Sequence, residues 1–132
     1  TSRDTAIRKS AARTWSIWEG ATSKLIPSED MLTRYGGDEF AEAFARIECH
    51  YFVNNGFLRP NQLLEDVHRI RHIPGIIVQG RYDVVCPMRS AWDLHRAWPE
   101  AELQIVGDSG HAAGEPGILS RLVDAADRYA DL

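Results

Sequence analysis

The chain has 132 residues, enough for one domain of ordinary size, with 44% hydrophobic and 26% charged residues, a balance that excludes disordered and fibrous classes. Its net charge is −4, and its Lys and Arg residues are scattered rather than striped, which argues against a nucleic-acid footprint. No apolar run reaches the roughly 20 residues of a membrane span, and the start, Thr1-Ser2-Arg3-Asp4, has neither an initiator Met nor the apolar core of a signal peptide.

In chain order, the first half reads as helical. Residues 5–25 place Ile7, Ala11, Trp15 and Trp18 at spacings of three and four, one stripe of an amphipathic helix that Pro27 would stop. Residues 38–54 repeat the pattern with Phe40, Phe44, Ile47 and Tyr51, and Asn54-Asn55-Gly56 is a helix-ending signal. A short helix is expected over residues 61–70, capped by Asn61 and broken before Pro74. From Gly75 the rhythm changes to strand (residues 75–79), loop, helix (89–98), strand (102–106), loop, helix (117–129). This alternation is that of a parallel α/β sheet. The expected class is therefore α/β, with a helical portion over residues 1–72 and the end of a doubly wound sheet over 73–132. Two strands alone make a marginal sheet, so the missing remainder of a larger protein is expected as a folding partner.

Two loops carry the chemistry. Gly80-Arg81-Tyr82-Asp83 and Gly107-Asp108-Ser109-Gly110-His111 each follow a short apolar run, at the strand ends where open α/β sheets bind ligands. An acid and a histidine in those places, in that chain order, match the acid and base of a hydrolytic triad, with Asp83 accepting Nδ1–H of His111. The nucleophile is not visible. Ser109 stands too close to His111 to be served by its ring, and a G-x-S-x-G elbow would need Gly at position 111. His68 and His72 have the i, i+4 spacing of a zinc pair but lack the H-E-x-x-H glutamate and are flanked by Arg69 and Arg71, so a solvated helix face is the expectation. His95 reads likewise as surface. No cofactor and no metal are expected. Cys49 and Cys86 form no CxxC pair and fit a reducing, cytoplasmic compartment. Glu19 and Glu48 sit among aromatic residues, where a carboxylate is costly to bury without a partner.

These residues resemble the proline iminopeptidases (prolyl aminopeptidases) of the α/β-hydrolase superfamily. The resemblance rests on W-S-x-W-E-G at residues 15–20, A-R-I-E-x-H-Y-F at 45–52, H-I-P-x-x-x-V-x-G-R-Y-D at 72–83, Cys86-Pro87, and G-D-S-G-H at 107–111. It implies the C-terminal part of an α/β-hydrolase fold preceded by helices of the cap. It further implies Asp83 and His111 as triad acid and base, and Glu19 and Glu48 as binders of the free amino group of an N-terminal proline. Phe52 would line the pocket for the pyrrolidine ring, and Cys86 would lie near the acid without being a nucleophile. The implied substrates are peptides with an N-terminal proline. The family's G-G-S-W-G-S elbow and H-G-G-P oxyanion segment do not occur in the chain, so the 132 residues alone are expected to be inactive. Two other readings stay open at this level: another cap-bearing hydrolase, such as an esterase or epoxide hydrolase, which would not need Glu19 and Glu48, and a non-catalytic fragment. Oligomeric state is not legible.

Overall fold

A computed structural model describes residues 2–130. They form two compact units, one running through Thr22 and resuming over Ile26–Pro60, the other comprising Ser23–Leu25 and the chain from Asn61 onward. The break at Pro60 falls ahead of the change of rhythm near Ile73-Pro74.

The first unit is helical. Helix α1, Thr5–Ser23, begins where the Asp4 carboxylate accepts the backbone N–H groups of Ala6 and Ile7 at 2.8 and 3.2 Å, an N-cap that satisfies donors with no partner inside the helix. Helix α2, Glu29–Tyr35, was not expected from periodicity. Ser28 caps it by accepting Met31 N–H, and Glu29 and Asp30 in its first turn with Arg34 in its last complement the helix dipole. Helix α3, Asp38–Val53, follows, and ends at Asn54, after which Asn55 and Gly56 take positive φ.

The seam of this unit is not the expected one. In α1 the buried positions are Ala12, Ser16 and Gly20, while Ile7 and Trp18 of the apolar stripe are 60% and 55% exposed. In α3 the buried residues are Ala41 and Ala45, with Ile47 and Tyr51 exposed. Small residues let backbones approach closely, and large side chains cannot sit on that line. Ser16 Oγ–H donates to the Tyr35 carbonyl at 2.7 Å. A Cβ at Gly20 would stand 2.9 Å from the Tyr35 ring. Tyr35, Phe40 and Phe44 pack as an aromatic trio with centroids 5.1–5.7 Å apart.

The second unit carries the sheet. Helix α4, Gln62–Asp66, is shorter than expected and passes into a 3₁₀ turn, Val67–Arg69. Asn61 precedes it in the left-handed conformation and makes no side-chain cap bond, so its expected role as cap is corrected. His68 and His72 consequently share no helix. Strands β1, Ile76–Gly80, and β2, Glu102–Val106, pair in parallel from Ile76 opposite Glu102 to Gly80 opposite Val106. Parallel neighbours need a crossover, supplied by helix α5, Met88–Ala97. Helix α6, Pro116–Arg128, returns against the sheet, its Pro at the first turn where a missing N–H costs nothing. The unit's buried apolar residues are Val67, Ala91, Ala101, Val106 and Ile118. His95 is not a free surface residue as expected: it is half-buried, with Nδ1 2.9 Å from the Ala101 carbonyl, tying α5 to the start of β2. The fold is thus α/β, mixed helices with a small parallel sheet.

Candidate active site

Both loops that carry the acid and the histidine leave the same end of the two-stranded sheet. After β1 the chain turns at once, with Arg81 N–H donating to the Val106 carbonyl at 2.9 Å and Tyr82 N–H to the Ser109 carbonyl at 3.0 Å. These bonds lay the Asp83 loop along the His111 loop. The approach is so close that a Cβ at Gly80 would lie 1.9 Å from the Gly110 carbonyl oxygen. Only glycine fits there without moving a backbone.

This arrangement puts Nδ1 of His111 3.0 Å from Oδ2 of Asp83. An ionised carboxylate offers only lone pairs, so in this bond Nδ1–H is the donor and Nε2 is the ring nitrogen left for other partners. The other Asp83 oxygen, Oδ1, accepts Val85 N–H at 3.0 Å and Cys86 N–H at 2.8 Å. The Asp83 side chain is 6% exposed and that of His111 39%: the acid is enclosed and the histidine reaches solvent. Gln79, buried on β1, adds a donor that sequence reasoning missed, its amide N–H lying 3.4 Å from Oδ2 and 3.1 Å from the Gly80 and Cys86 carbonyls. Cys86 is adjacent to the acid through its backbone, as the resemblance implied. Ser109 is 1% exposed, which leaves its hydroxyl out of reach of any substrate.

A second group of residues lies within the first unit. The indole N–H of Trp15 donates to Glu48 Oε2 at 2.7 Å, and the Trp15 ring meets Phe52 edge-on at 6.3 Å. Glu19 stands one turn beyond Trp15 on α1, and Phe52 one turn beyond Glu48 on α3. The face of α1 bearing Trp15 and Glu19 therefore looks onto the face of α3 bearing Glu48 and Phe52. Glu48 and Glu19 are half-buried and Phe52 is 60% exposed. The partner that Glu48 needed for burial is a neutral indole donor, not a cation. A groove of about 530 Å³ in this unit is lined by Ile7, Ala11, Trp15, Ala45, Cys49 and Val53 among others; Glu19, Glu48 and Phe52 do not line it.

Over 98% of its length the chain is 59% identical to the "Probable proline iminopeptidase" of Leptolyngbya boryana and 60% identical to the "Proline iminopeptidase" of Xanthomonas citri. The chain resembles a C-terminal part of the proline iminopeptidases. The plant enzyme of that name from Arabidopsis thaliana is 56% identical over 99% of the chain. The chain spans 40%, 42% and 35% of these iminopeptidases respectively. No family model matches it. Among the described residues no helix is long and apolar enough to cross a membrane.

Proposed function

We propose that the protein containing this chain is a serine-type aminopeptidase that releases N-terminal proline from peptides. In this reading residues 1–72 form a helical portion of the cap and residues 73–132 the C-terminal part of an α/β-hydrolase core. Asp83 and His111 are the triad acid and base, while the seryl nucleophile and the oxyanion hole come from residues outside these 132. The observation that carries the reading is the 3.0 Å approach of Asp83 Oδ2 to His111 Nδ1 at the end of the parallel strands, in a chain similar throughout to iminopeptidases.

The mechanism follows from that geometry. The seryl oxygen attacks the prolyl carbonyl as Nε2 of His111 takes its proton, and the imidazolium formed returns that proton to the departing amine. Water then attacks the acyl-enzyme by the same route and frees proline. Asp83 holds the ring in the required tautomer and stabilises the imidazolium. Glu19 and Glu48 answer why only a terminal residue is accepted. An N-terminal proline carries a secondary ammonium and an internal residue carries none. Two carboxylates 4 Å apart repel by about 4 kcal/mol at an effective dielectric near 20, and a cation between them relieves that repulsion where a neutral amide does not. The Trp15 indole engages Glu48 Oε2 and so fixes the orientation in which the carboxylate meets the ammonium. Phe52 supplies apolar surface for the ring.

The test is Asp83→Asn in the full-length protein, assayed on a proline amide. An amide at position 83 favours the wrong tautomer of His111, and kcat is expected to fall by about 10⁴-fold with KM little changed. Undiminished turnover by this variant would remove Asp83 from the mechanism.

A further inference from the structure

Glu115 is a buried carboxylate that the proposed mechanism does not use. It is 7% exposed and stands at the position preceding α6, where a side chain would ordinarily cap the helix. It makes no such bond. Its two oxygens are directed elsewhere: Oε1 accepts Gly110 N–H at 2.8 Å and Oε2 accepts Leu25 N–H at 3.1 Å. Around this bridge, the N–H groups of His111 and Ala112 both donate to the Ser23 carbonyl at 3.0 and 2.7 Å, and Glu115 N–H donates to Ala112. The backbone on either side of the histidine is thus fastened to residues 23–25, and one carboxylate ties both strands of chain together.

From these bonds we infer that Glu115 is a positioning residue for His111; the inference rests on the proposed role of His111 as base. The imidazole is 39% exposed, so packing holds it only in part. Its distance to Asp83 is set by the loop backbone, and that backbone is set by the Gly110 carbonyl pressed toward Gly80 on one side and the Gly110 N–H held by Glu115 on the other. The chemistry selects a carboxylate. Both oxygens meet N–H donors, and a glutamine could accept only one of them while turning its own NH₂ toward the other. Asp at this position keeps both acceptors but is one methylene short of spanning the two donors.

The test uses the full-length protein with Glu115→Gln and Glu115→Asp. In Glu115→Gln, kcat on a proline amide is expected to fall on the order of 10²-fold, the size of a small misplacement of a catalytic group, with KM unchanged. Glu115→Asp should fall less. In the Asp83→Asn background, where the His111–Asp83 bond is already compromised, Glu115→Gln should cost only a few-fold more, because residues acting on one interaction are not additive. A merely structural Glu115 would give equal losses in both backgrounds and move kcat and KM together, and either result would overturn the inference. The low-field proton resonance of the His111 Nδ1–H gives a second readout. It is expected to disappear or broaden in Glu115→Gln, and its persistence at wild-type position would also overturn the inference. Because that resonance does not depend on turnover, a wild-type protein inactive on prolyl substrates would refute the proposed function while leaving the positioning role of Glu115 to be decided by the spectrum.

Discussion

The Asp83–His111 loops and the Glu19–Glu48 helices hold their side chains by different means. Asp83 and His111 are set mainly by backbone, with the Gln79 and Glu115 side chains added to it: two N–H groups on Asp83 Oδ1, loop-to-loop bonds from Arg81 and Tyr82, and a glycine where a Cβ would collide with a carbonyl. Glu48 is set by a side chain, the Trp15 indole, on helices whose buried residues are alanine, serine and glycine. A proton transfer tolerates little error in distance, and backbone bonds fixed by a parallel sheet give little. The proposed recognition of an ammonium by Glu19 and Glu48 tolerates more, and both carboxylates stand on half-buried helix positions.

The difference can be broken most severely at Gly80. Gly80→Ala would drive a methyl group into the Gly110 carbonyl, and overpacking against backbone is expected to cost at or above the upper end of about 1–3 kcal/mol. Denaturant unfolding of the full-length variant measures this, and the loss of stability should be accompanied by loss of the Asp83–His111 proton resonance. Wild-type stability in Gly80→Ala would show that the loops are looser than the hydrogen bonds imply.

The smallest effect expected is one the two units share. The Arg8 guanidinium donates to Glu42 in the first unit, and Arg128 and then Gln104 donate to Glu102 in the second, holding both carboxyls below their ordinary value of 4.5. A carboxyl lowered on folding stabilises the protein above its unfolded pKa, and that contribution is lost as pH falls through the lowered folded value. The Glu102–Arg128 pair is exposed and the Arg8–Glu42 pair half-buried, so the contribution of the former is small and screened by salt. Melting temperature should therefore fall slightly less steeply on acidification below about pH 4.5 in Arg128→Met than in the wild type, and the difference should shrink in high salt. Parallel acid profiles would mean that the Glu102–Arg128 pair contributes nothing.

The two regions also differed in how far they could be read from residues alone. The strand Glu102–Val106 lies where the apolar run placed it, and β1, α5 and α6 are each displaced by only a residue or two. An acid and a histidine after such strands are local signals, and for that reason their meeting at 3.0 Å was legible. The helical unit was harder. Periodicity reports which side chains are apolar, not which are buried, so of one expected stripe Ile7 and Trp18 are mostly exposed while Trp15 is half-buried against Glu48. The seven residues of α2 were too few to show a period, though Ser28 followed by Glu29-Asp30 was a usable start signal. Glu115 and Gln79 could not be found in this way, because their roles depend on partners brought in by the fold: Leu25 is 90 positions away from Glu115 in the chain.

In the proposed function, an acid–base pair indifferent to substrate charge works with a carboxylate pair that requires it. The most direct measurement is kcat/KM of the full-length protein and of Glu48→Gln on two substrates, a proline amide bearing the free ammonium and a neutral ester that needs only the triad. The account predicts a loss of about 2–5 kcal/mol in transition-state binding on the amide, the range for truncating one member of a buried charged pair, with the ester rate unchanged. Equal losses on both substrates would contradict it, because Glu48 would then be supporting the helices and not reading the charge.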